Sequence, residues 1–519
     1  MGELSELFAP ETVAVVGATE REGSVGRAIM DNLVADFDGT VVPVNPNYDE
    51  VLGIPCVSDI GAADADLAVV VVPPKIAVEA VRQAGESGVR NVVVITAGFG
   101  ETGSEGAARE RELREVAEQY GINLVGPNSL GIMSTGVDMN ATFGPDNAQP
   151  GGMSFMSQSG AFITAVLDWA NDQDIGFRDV VSLGNKAVLD EADFVREWGD
   201  DPETDVVIGY LEGIEEGREF IDSAREVTQD TPIVLVKSGR TDAGAQAASS
   251  HTGTIAGSDE AYETGLEQAG VIRAESVQEL FDSAQMLGSQ PLPEQDDVAI
   301  ITNAGGPGVM ATDAVGDSGL SMATFSDETL DTFSEKLPAE GNIYNPVDVV
   351  GDAGNDRFRN ALEIALEDEN VGCAVVLSAP TAVLDYAQLA RDTVELSDEY
   401  DKPVAACFMG GERVEPAAEV LKDAGIPNYF DPARAVDSLD ALSEYADIAA
   451  REYDEPTEFD VDREAAHDIL SAVKGRGDNR LGVEAMDLLD AYGIPTPQGE
   501  IVDAPTDAEG VAERIDGDV

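Results

Sequence analysis

A short loop around one of the two histidines in this 519-residue chain carries the residues best suited to chemistry. The loop reads Ser-Ser-His-Thr-Gly-Thr over positions 249–254, so His251 lies among small hydroxyl and glycine residues. A neutral imidazole can act as a nucleophile towards phosphorus. The sequence therefore predicts that His251 accepts a phosphoryl group.

The charge around this loop supports an anionic ligand. Residues 233–258 contain a single carboxylate, Asp242, whereas the average composition of the chain would place about five there. Lys237 and Arg240 add positive charge to the same segment. Because the field of a protein concentrates ions of opposite sign, we expect an anion at this place.

Glu212 closes the apolar run 206–211 and is the candidate partner of the histidine. A carboxylate that binds one imidazole N–H fixes the tautomer, so that the other nitrogen can attack phosphorus. A solvated carboxylate at the rim of a sheet is the alternative interpretation. The second histidine, His467, is expected to be a solvated residue in a charged linker.

Two further turns have the composition of phosphate-binding helix starts. Each follows an apolar run and precedes a helical segment; they consist of Ser157, Gln158, Ser159 and Gly160, and of Asn303, Ala304, Gly305 and Gly306. The first turn of a helix has free N–H groups and about half a positive charge. Each turn alone is better explained as an ordinary helix cap, but together they are expected to hold one phosphoryl group.

A glycine-rich turn near the N-terminus predicts a phosphate-binding strand–turn–helix unit. The run 13–17 leads into Gly17, Gly23 and Gly26, a setting in which backbone N–H groups hold phosphates. A turn that binds nothing is the alternative. Dinucleotide dehydrogenases have an acidic residue near the end of the second strand, whereas Asn45 follows that strand here. NAD is therefore disfavoured, and another adenosine phosphate is expected.

Apolar runs alternate with amphipathic helical segments along the chain, which predicts α/β domains with parallel sheets. The length suggests three or four domains. The predicted units are residues 1–145, 150–290, 296–450 and an incomplete unit 464–519. Within the last unit we expect a helix at 482–492, a turn at 493–497, a strand at 499–502 and a helix at 507–515.

The composition excludes several classes of partner. The formal charge is −71, while 43% of residues are hydrophobic and the acids are spread along the chain. Nucleic acid and anionic membranes need clustered Lys and Arg, so neither is an expected partner. A folded protein with a carboxylate-covered surface suits a cytosol of very high salt, where the Debye length falls to about 3 Å. We expect a halophilic protein.

The cysteines and the N-terminus indicate the compartment. Cys56, Cys373 and Cys407 lie far apart and form no CxxC or Cys/His cluster, so the sequence predicts neither a disulfide framework nor a metal site. The N-terminus lacks the features of a signal peptide, and the apolar run 67–72 is too short to cross a bilayer. A cytoplasmic protein is expected.

These motifs together resemble the NDP-forming acyl-CoA synthetases, which include ADP-forming acetate–CoA ligases and their relative succinyl-CoA synthetase. The resemblance covers essentially the whole chain and rests on the segments 13–26, 43–46, 126–131, 157–160, 182–186, 237–240, 249–254, 302–308 and 345–348. It implies a CoA-binding Rossmann domain, two flavodoxin-like ligase domains and the truncated start of an ATP-grasp domain. ADP or ATP with Mg²⁺ would then bind to an ATP-grasp domain or subunit largely absent from this chain.

The resemblance also implies the reaction, in which acyl-CoA, ADP and phosphate reversibly give a carboxylic acid, CoA and ATP. An acyl phosphate would phosphorylate His251, which Glu212 positions, and the two turns would steady the phosphoryl group. Acetate or another short acid is the expected substrate, and a homo- or hetero-oligomer is the expected assembly. The implied CoA contacts are Gly17, Val44, Asn45, Pro46, Pro73, Ile95, Thr96, Ala97, Gly98, Asn128 and Ser129, of which the last two would lie near the thioester.

Two alternatives remain beside this resemblance. An NAD-type dehydrogenase is disfavoured by Asn45. A non-catalytic CoA-binding sensor or scaffold, as in relatives fused to an acetyltransferase, is disfavoured because His251 and Glu212 are retained. The segment 187–190 departs from the family pattern, which more often has an acid one position before Asp190, so the role of Asp190 stays open.

Overall fold

The computed structural model describes residues 4–241, 243–244, 246, 258–453, 459, 461–476, 480–482 and 484–496, with the isolated positions 504, 509–510 and 513. The chain divides into two compact units, Met1–Arg451 and Glu452–Val519. His251 and the loop 249–254 lie outside the described residues.

The first sheet is a parallel sheet of the Rossmann type. The strands of this region are β1 (Thr12–Val16), β2 (Thr40–Val44), β3 (Glu50–Val51), β4 (Ile54–Pro55), β5 (Leu67–Val70), β6 (Asn91–Val94) and β7 (Asn123–Val125). Five of them form the order β2-β1-β5-β6-β7, and β3 pairs with β4 separately. The helices are Ser5–Phe8, Val25–Asp36, Pro74–Ser87 and Ser104–Tyr120. The central strands are apolar because helices cover both faces of such a sheet.

The second sheet carries most of the predicted phosphate chemistry. Its strands are β8 (Gly131–Ser134), β9 (Met139–Thr142), β10 (Gln149–Ser157), β11 (Gly176–Ser182), β12 (Val206–Leu211), β13 (Ile233–Lys237) and β14 (Ile272–Ala274), in the order β14-β13-β12-β10-β11-β8-β9. The described helices of this region are Gly160–Asp172, Glu191–Gly199, Gly217–Val227, Asp259–Ala269 and Val277–Leu287.

The edge of this second sheet is antiparallel, which the sequence did not indicate. Strand β8 pairs antiparallel with β11, and β9 pairs antiparallel with β8. Both strands precede β10 in the chain, in the region 131–142 that the sequence grouped with the first domain. Each has only four residues, and a short connection of four residues suffices to join an antiparallel pair. Nothing in their composition indicated which sheet they would extend.

The third sheet repeats the strand–turn–helix pattern. Its strands are β15 (Asp297–Thr302), β16 (Ser321–Met322), β17 (Val347–Asp348), β18 (Cys373–Ser378) and β19 (Val404–Phe408). The order is β16-β15-β18-β19, and β17 also pairs with β15. The helices are Gly305–Asp317, Asp327–Lys336, Asn355–Glu367, Tyr386–Tyr400, Glu415–Asp423 and Pro432–Ala449. The segment 288–296 joins the helix Val277–Leu287 to β15 and so connects the second and third sheets.

Buried side chains join the three sheets into one unit. One apolar cluster contains Phe155 and Phe281 from the second sheet region together with Val298 and Leu439 from the third. Another cluster joins the first and second sheets and includes the fully buried Trp198. Because burial of apolar surface is the main favourable term in folding, the two clusters account for the compactness of this unit. The predicted α/β fold with Rossmann and flavodoxin-like sheets is confirmed.

The second unit contains the described helices Arg463–Gly475 and Glu484–Ala491. His467 lies within the first of these helices and is exposed. Its predicted exposure is confirmed, but the predicted linker is wrong at this position, because Asp462 caps a helix by accepting a hydrogen bond from the Ala465 N–H. The predicted strand 499–502 lies outside the described residues, as does most of the predicted helix 507–515.

Two properties of the described part of the chain bear on partners. None of its helices is long and apolar enough to cross a membrane. Within the same described residues, no group of three or more His, Cys, Asp or Glu side chains is arranged to hold a metal ion. Cys56, Cys373 and Cys407 are all free thiols.

Candidate functional site

The predicted CoA residues gather at one edge of the first sheet. Gly17 follows β1, Val44 ends β2, Pro73 comes after β5, and Ile95 follows β6. In a parallel sheet the carboxyl ends of all strands lie at the same edge, which is where open α/β sheets bind ligands. The remaining predicted members, which belong to the same strand ends, are Asn45, Pro46, Thr96, Ala97, Gly98, Asn128 and Ser129.

The turn after β1 depends on glycine at position 17. Gly17 has φ +105°, and a Cβ there would lie 2.8 Å from the carbonyl oxygen of Val71. Its N–H donates to the Val44 carbonyl at 2.9 Å. Asn45 Nδ2 donates to the Ala18 carbonyl at 2.8 Å, so this side chain ties the ends of β1 and β2 together. An acid at position 45 has no such donor, which gives a structural reason for asparagine here.

A second turn, after β6, is held by a carboxylate. Glu101 accepts hydrogen bonds from the N–H groups of Gly98 (2.5 Å) and Phe99 (3.1 Å). Asn185, from the second sheet region, donates from Nδ2 to Glu101 Oε2 at 2.7 Å. Burial raises the pKa of Glu101, but these hydrogen bonds outweigh it and the net pKa is lowered. The Gly98 turn is therefore fixed by a charged group and tied to the second sheet.

The segment after β7 also reaches the second sheet. Asn128 has φ +60° and follows the cis Gly126–Pro127 bond. It is exposed and donates from Nδ2 to Asn185 Oδ1 at 3.2 Å. Ser129 is buried, and its hydroxyl donates to the Ser182 carbonyl at 2.6 Å. Of the two residues expected near the thioester, Asn128 is the one whose side chain faces solvent.

The first predicted phosphate turn, at residues 157–160, is stabilised by hydrogen bonds between its own residues. Ser157 Oγ accepts from the Ser159 N–H and donates to the Ser159 carbonyl, both at 3.0 Å. Ser159 then caps the helix Gly160–Asp172 by accepting from the Phe162 N–H. Hydroxyl residues are favoured at this capping position because they satisfy an N–H that the helix leaves free. The turn therefore presents a helix N-terminus at the carboxyl edge of the second sheet.

Gln158, within that turn, is joined directly to the candidate carboxylate. Gln158 Oε1 accepts hydrogen bonds from the backbone N–H groups of both Glu212 and Gly213, the latter at 3.0 Å. The two segments follow the neighbouring strands β10 and β12. The structure therefore brings together two predicted site residues that are 54 positions apart in the sequence. The backbone N–H of Gln158 donates to the Tyr210 carbonyl at 3.1 Å, so its side-chain Nε2 is the group that remains as a candidate phosphate donor.

The predicted turn on the third sheet repeats this arrangement. Thr302 Oγ1 accepts from the Ala304 N–H at 3.0 Å and donates to the Ala304 carbonyl at 3.1 Å. Asn303 Nδ2 donates to the Ala379 carbonyl, and Asn303 Oδ1 accepts from the Ala379 N–H. Each turn thus uses an amide side chain to bind the segment after the neighbouring strand. Gly305 and Gly306, at the start of the following helix, are exposed.

The convergence of the two turns on one phosphoryl group stays a prediction. The contacts of Asn303 and Ala304 described above are with their own sheet, and those of Gln158 and Ser159 are with the second sheet. Because His251 lies outside the described residues, its distance to either turn and to Glu212 is not part of this geometry.

Sequence reasoning gave no role to the buried ion pair beside Glu212. Lys186 Nζ lies 3.0 Å from Glu191 Oε2 and 2.8 Å from the Gly213 carbonyl. Burial raises the pKa of Glu191, and the Lys186 ammonium opposes that rise. Two sequence signals could have drawn attention to position 186: its place in the family-like segment 182–186, and the scarcity of lysine, seven residues in the whole chain.

A second lysine near Glu212 has an unusual environment. Lys237 is 4% exposed, and its Nζ lies 4.3 Å from the centre of the Tyr262 ring. Burial lowers the pKa of Lys237, and the charges of Asp259 and Glu212 oppose this. A cation held against an aromatic face keeps positive charge near the carboxyl edge of the second sheet. The expectation that the acid-poor segment 233–258 meets an anion stays a prediction.

Asp190 has a structural role. Its carboxylate accepts from the Ala192 N–H at 2.9 Å, and Asp193 accepts from the Asp190 N–H in return. This is a capping box that begins the helix Glu191–Gly199. The role of Asp190, which the sequence left open, therefore includes capping of this helix.

Three family profiles match the chain in order. A CoA binding domain matches residues 11–135, a succinyl-CoA ligase like flavodoxin domain matches 150–287, and a ligase-CoA domain matches 298–451. The three matches follow the three sheets in order, except that β8 of the second sheet falls within the first match and β9 lies between the first two matches.

Individual relatives extend over nearly the whole chain. It is 46% identical over 515 residues to "Acetate–CoA ligase [ADP-forming] I" of Archaeoglobus fulgidus, which covers 99% of this chain and 74% of that protein. It is 39% identical over 464 residues to the "Acetate–CoA ligase [ADP-forming] I subunit alpha" of Pyrococcus furiosus, covering 86% of this chain and 99% of that subunit.

A solved structure supports the same assignment. The "dinucleotide forming Acetyl-coenzyme A synthetase 1" of Ca. Korarchaeum cryptofilum, in complex with phosphate and ADP, superposes with a TM-score of 0.82 at 37% identity. The match covers 87% of this chain and 98% of that chain. Together with the three domains and the two strand-end turns, these similarities show that the chain belongs to the ADP-forming acid–CoA ligases, the NDP-forming acyl-CoA synthetase family.

Proposed function

We propose that this chain performs the CoA- and phosphate-dependent steps of an ADP-forming acid–CoA ligase. In the full reaction, acyl-CoA, ADP and phosphate reversibly give a carboxylic acid, CoA and ATP, with acetate or another short acid as substrate. The observation that carries the proposal is the joining of the 157–160 turn to Glu212 through Gln158. This contact holds the backbone of Glu212 beside a helix N-terminus, and a carboxylate together with helix N–H groups suits a phosphohistidine site.

The first step would be attack of a phosphate oxygen on the thioester carbonyl. The C–S bond breaks, CoA leaves as the thiolate, and an acyl phosphate forms. CoA would bind at the carboxyl edge of the first sheet, with the Gly98 turn and Asn128 directed by Asn185 towards the second sheet. Such positioning lowers the barrier by holding the two reactants at the correct geometry.

The second step would transfer the phosphoryl group to His251. A ring nitrogen attacks phosphorus, the bond between phosphorus and the acyl oxygen breaks, and the carboxylate leaves. Glu212 would accept the hydrogen bond of the other ring nitrogen and stabilise the positive charge that develops on the imidazole. The N–H groups of the helix that begins at Gly160 would stabilise the phosphoryl oxygens.

The phosphohistidine would then pass its phosphoryl group to ADP on an ATP-grasp domain or subunit. When bound there, Mg²⁺ supplies charge neutralisation of the nucleotide phosphates. The similarity to a relative named as a subunit alpha, across 99% of that subunit, supports a partner of this kind. We therefore expect this chain alone to be phosphorylated but not to make ATP.

The test is labelling of the chain with acetyl phosphate that carries ³²P. Label that is stable to base and labile to acid is expected, and His251→Ala should abolish it. His467→Ala is the matched control, because it removes the only other histidine, at an exposed helix position of the second unit, and should leave labelling unchanged. Label that survives in His251→Ala would overturn the assignment.

A CoA-binding sensor or scaffold is the second candidate function. It is favoured only by the intact first sheet edge, which could bind CoA without chemistry. Isothermal titration with CoA, run beside the labelling assay, separates the two functions. CoA binding with no incorporation of phosphate from acetyl phosphate would support the sensor and contradict the ligase.

A further inference from the structure

The backbone that carries Glu212 is held from two sides. On one side, Gln158 Oε1 accepts the N–H groups of Glu212 and Gly213. On the other side, the Gly213 carbonyl accepts a 2.8 Å hydrogen bond from Lys186 Nζ. The peptide units on both sides of Gly213 are therefore fixed by side chains from the segments that follow β10 and β11. Glu212 is the residue whose direction depends on this arrangement.

The donors of Lys186 are fully used inside the protein. An ammonium group has three N–H donors, and three acceptor atoms lie around it: Glu191 Oε2 at 3.0 Å, Glu191 Oε1 at 3.3 Å and the Gly213 carbonyl. The side chains of Lys186 and Glu191 are 4% and 1% exposed. Lys186 is therefore not arranged to touch a phosphoryl group, and any influence on the reaction passes through Gly213.

The backbone conformation at Lys186 also indicates a specific role. Lys186 has φ +54°, and Gly184 before it has φ +60°. A Cβ at position 184 would lie 2.2 Å from the Pro127 carbonyl oxygen, so glycine is required there. A lysine in the left-handed region is uncommon, and a buried ion pair is often no more stabilising than apolar side chains of similar volume. Stability alone is thus a weak reason for this pair.

We propose that Lys186, anchored by Glu191, is a positioning residue that directs the Glu212 carboxylate through the Gly213 carbonyl. The inference rests on the proposed role of Glu212 in the phosphorylation of His251. Without Lys186, the Gly213 carbonyl would lose its buried donor and the Glu212–Gly213 backbone would rotate. A small misplacement of an orienting group is enough to lower a rate by about 100-fold.

The experiment is a double-mutant cycle in the full chain, read by rapid-quench phosphorylation with acetyl-CoA and [³²P]phosphate. The pair is removed as Lys186→Met/Glu191→Leu, which leaves no buried charge without its partner. It is combined with Glu212→Gln. We expect the pair replacement to slow phosphorylation by about 10- to 100-fold in the wild-type background, with half-saturation by acetyl-CoA unchanged within about two-fold. In the Glu212→Gln background it should have no further effect.

A control pair at the opposite end of β11 tests for general destabilisation. Arg178 Nε and Asp201 Oδ2 form an ion pair at 2.8 Å, with Arg178 near the amino end of β11. Arg178→Met/Asp201→Leu should change the thermal midpoint and leave the phosphorylation rate within about two-fold. Circular dichroism of every variant checks that the fold is retained.

The outcomes separate the two proposals. Equal slowing in both backgrounds would mean that the pair acts on the fold and not through Glu212, which overturns the inference and leaves the proposed function standing. A wild-type rate in Lys186→Met/Glu191→Leu would also overturn it. A wild-type rate in Glu212→Gln alone would overturn the role of Glu212, and the inference with it.

Discussion

Asn185 Nδ2 lies 2.7 Å from Glu101 Oε2 and so joins the Gly98 turn of the first sheet to the second sheet. The same nitrogen lies 2.7 Å from Glu110 Oε2, and Asn185 Oδ1 accepts from Asn128. Two segments expected to surround CoA and its thioester, the Gly98 turn and Asn128, therefore meet at one side chain. The neighbouring Lys186 contacts the Glu212 segment, so positions 185 and 186 connect the two predicted halves of the site.

Replacement of Asn185 should weaken CoA binding. Asn185→Asp sets a third carboxylate against Glu101 and Glu110, and like charges at this distance repel. We expect the Kd for CoA, measured by isothermal titration, to rise about 10-fold or more, and Asn185→Ala to have a smaller effect. Asn370→Asp is the control, because Asn370 Nδ2 donates to the Thr324 carbonyl on the third sheet. Unchanged CoA affinity in Asn185→Asp would contradict this role.

A substitution at Gly306 tests whether the turn at residues 303–306 of the third sheet contacts a phosphoryl group. A Cβ at Gly306 would have no protein atom within 4 Å, and the same is true of Gly316 in the same helix. Alanine at either position should be tolerated and can stabilise the helix by up to about 1 kcal/mol. If phosphate approaches the first turn of the helix Gly305–Asp317, Gly306→Ala should slow phosphorylation by about 10-fold or more, while Gly316→Ala should not. Equal rates in both variants, measured by ³²P labelling, would exclude the approach.

The buried carboxyl of Asp179 should make stability depend on pH. Asp179 is 3% exposed, accepts a 3.1 Å hydrogen bond from Trp198 Nε1, and burial raises its pKa from 3.8 to about 6. The Asp179 carboxyl therefore stays protonated to a higher pH in the folded state than in the unfolded state. Stability from this group is complete below about pH 4 and falls by roughly 3 kcal/mol as pH rises through 6.

Asp179→Asn should remove that part of the pH dependence, because an amide does not titrate and can still accept from Trp198. Urea unfolding of both proteins between pH 4.5 and 7, at constant high salt, gives the comparison. We expect the difference in unfolding free energy between variant and wild type to change by roughly 2 kcal/mol over that range, in favour of the variant at higher pH. A constant difference would show that Asp179 titrates alike in the folded and unfolded states.

The charge of −71 predicts that folding requires salt. Repulsion between surface carboxylates extends over about 10 Å at 0.1 M salt and about 3 Å at 1 M. The thermal midpoint should therefore fall steeply when KCl is reduced from molar to 0.1 M. Sucrose at matched osmolality is the control, since it strengthens burial without screening charge. A midpoint that is independent of salt would argue against the halophilic interpretation.

The sequence by itself determined the strand–turn–helix units and the residues at the strand ends. Gly17, Ser159 and Gly306 were identified from glycine and hydroxyl positions after apolar runs, because turn and cap chemistry is local. Parallel order then places such residues at one edge of a sheet without further information. The same local signals could not indicate that β8 and β9 extend the second sheet.

Only the tertiary structure decided which side chains hold the site residues. Gln158 with Glu212, Asn185 with Glu101 and Lys186 with Gly213 are contacts between segments that are 54, 84 and 27 positions apart. No periodicity or motif encodes such pairs, because each depends on how neighbouring strands and their following turns pack. A single sequence therefore names the residues that can do chemistry, and the packing of three sheets determines the geometry in which they can do it.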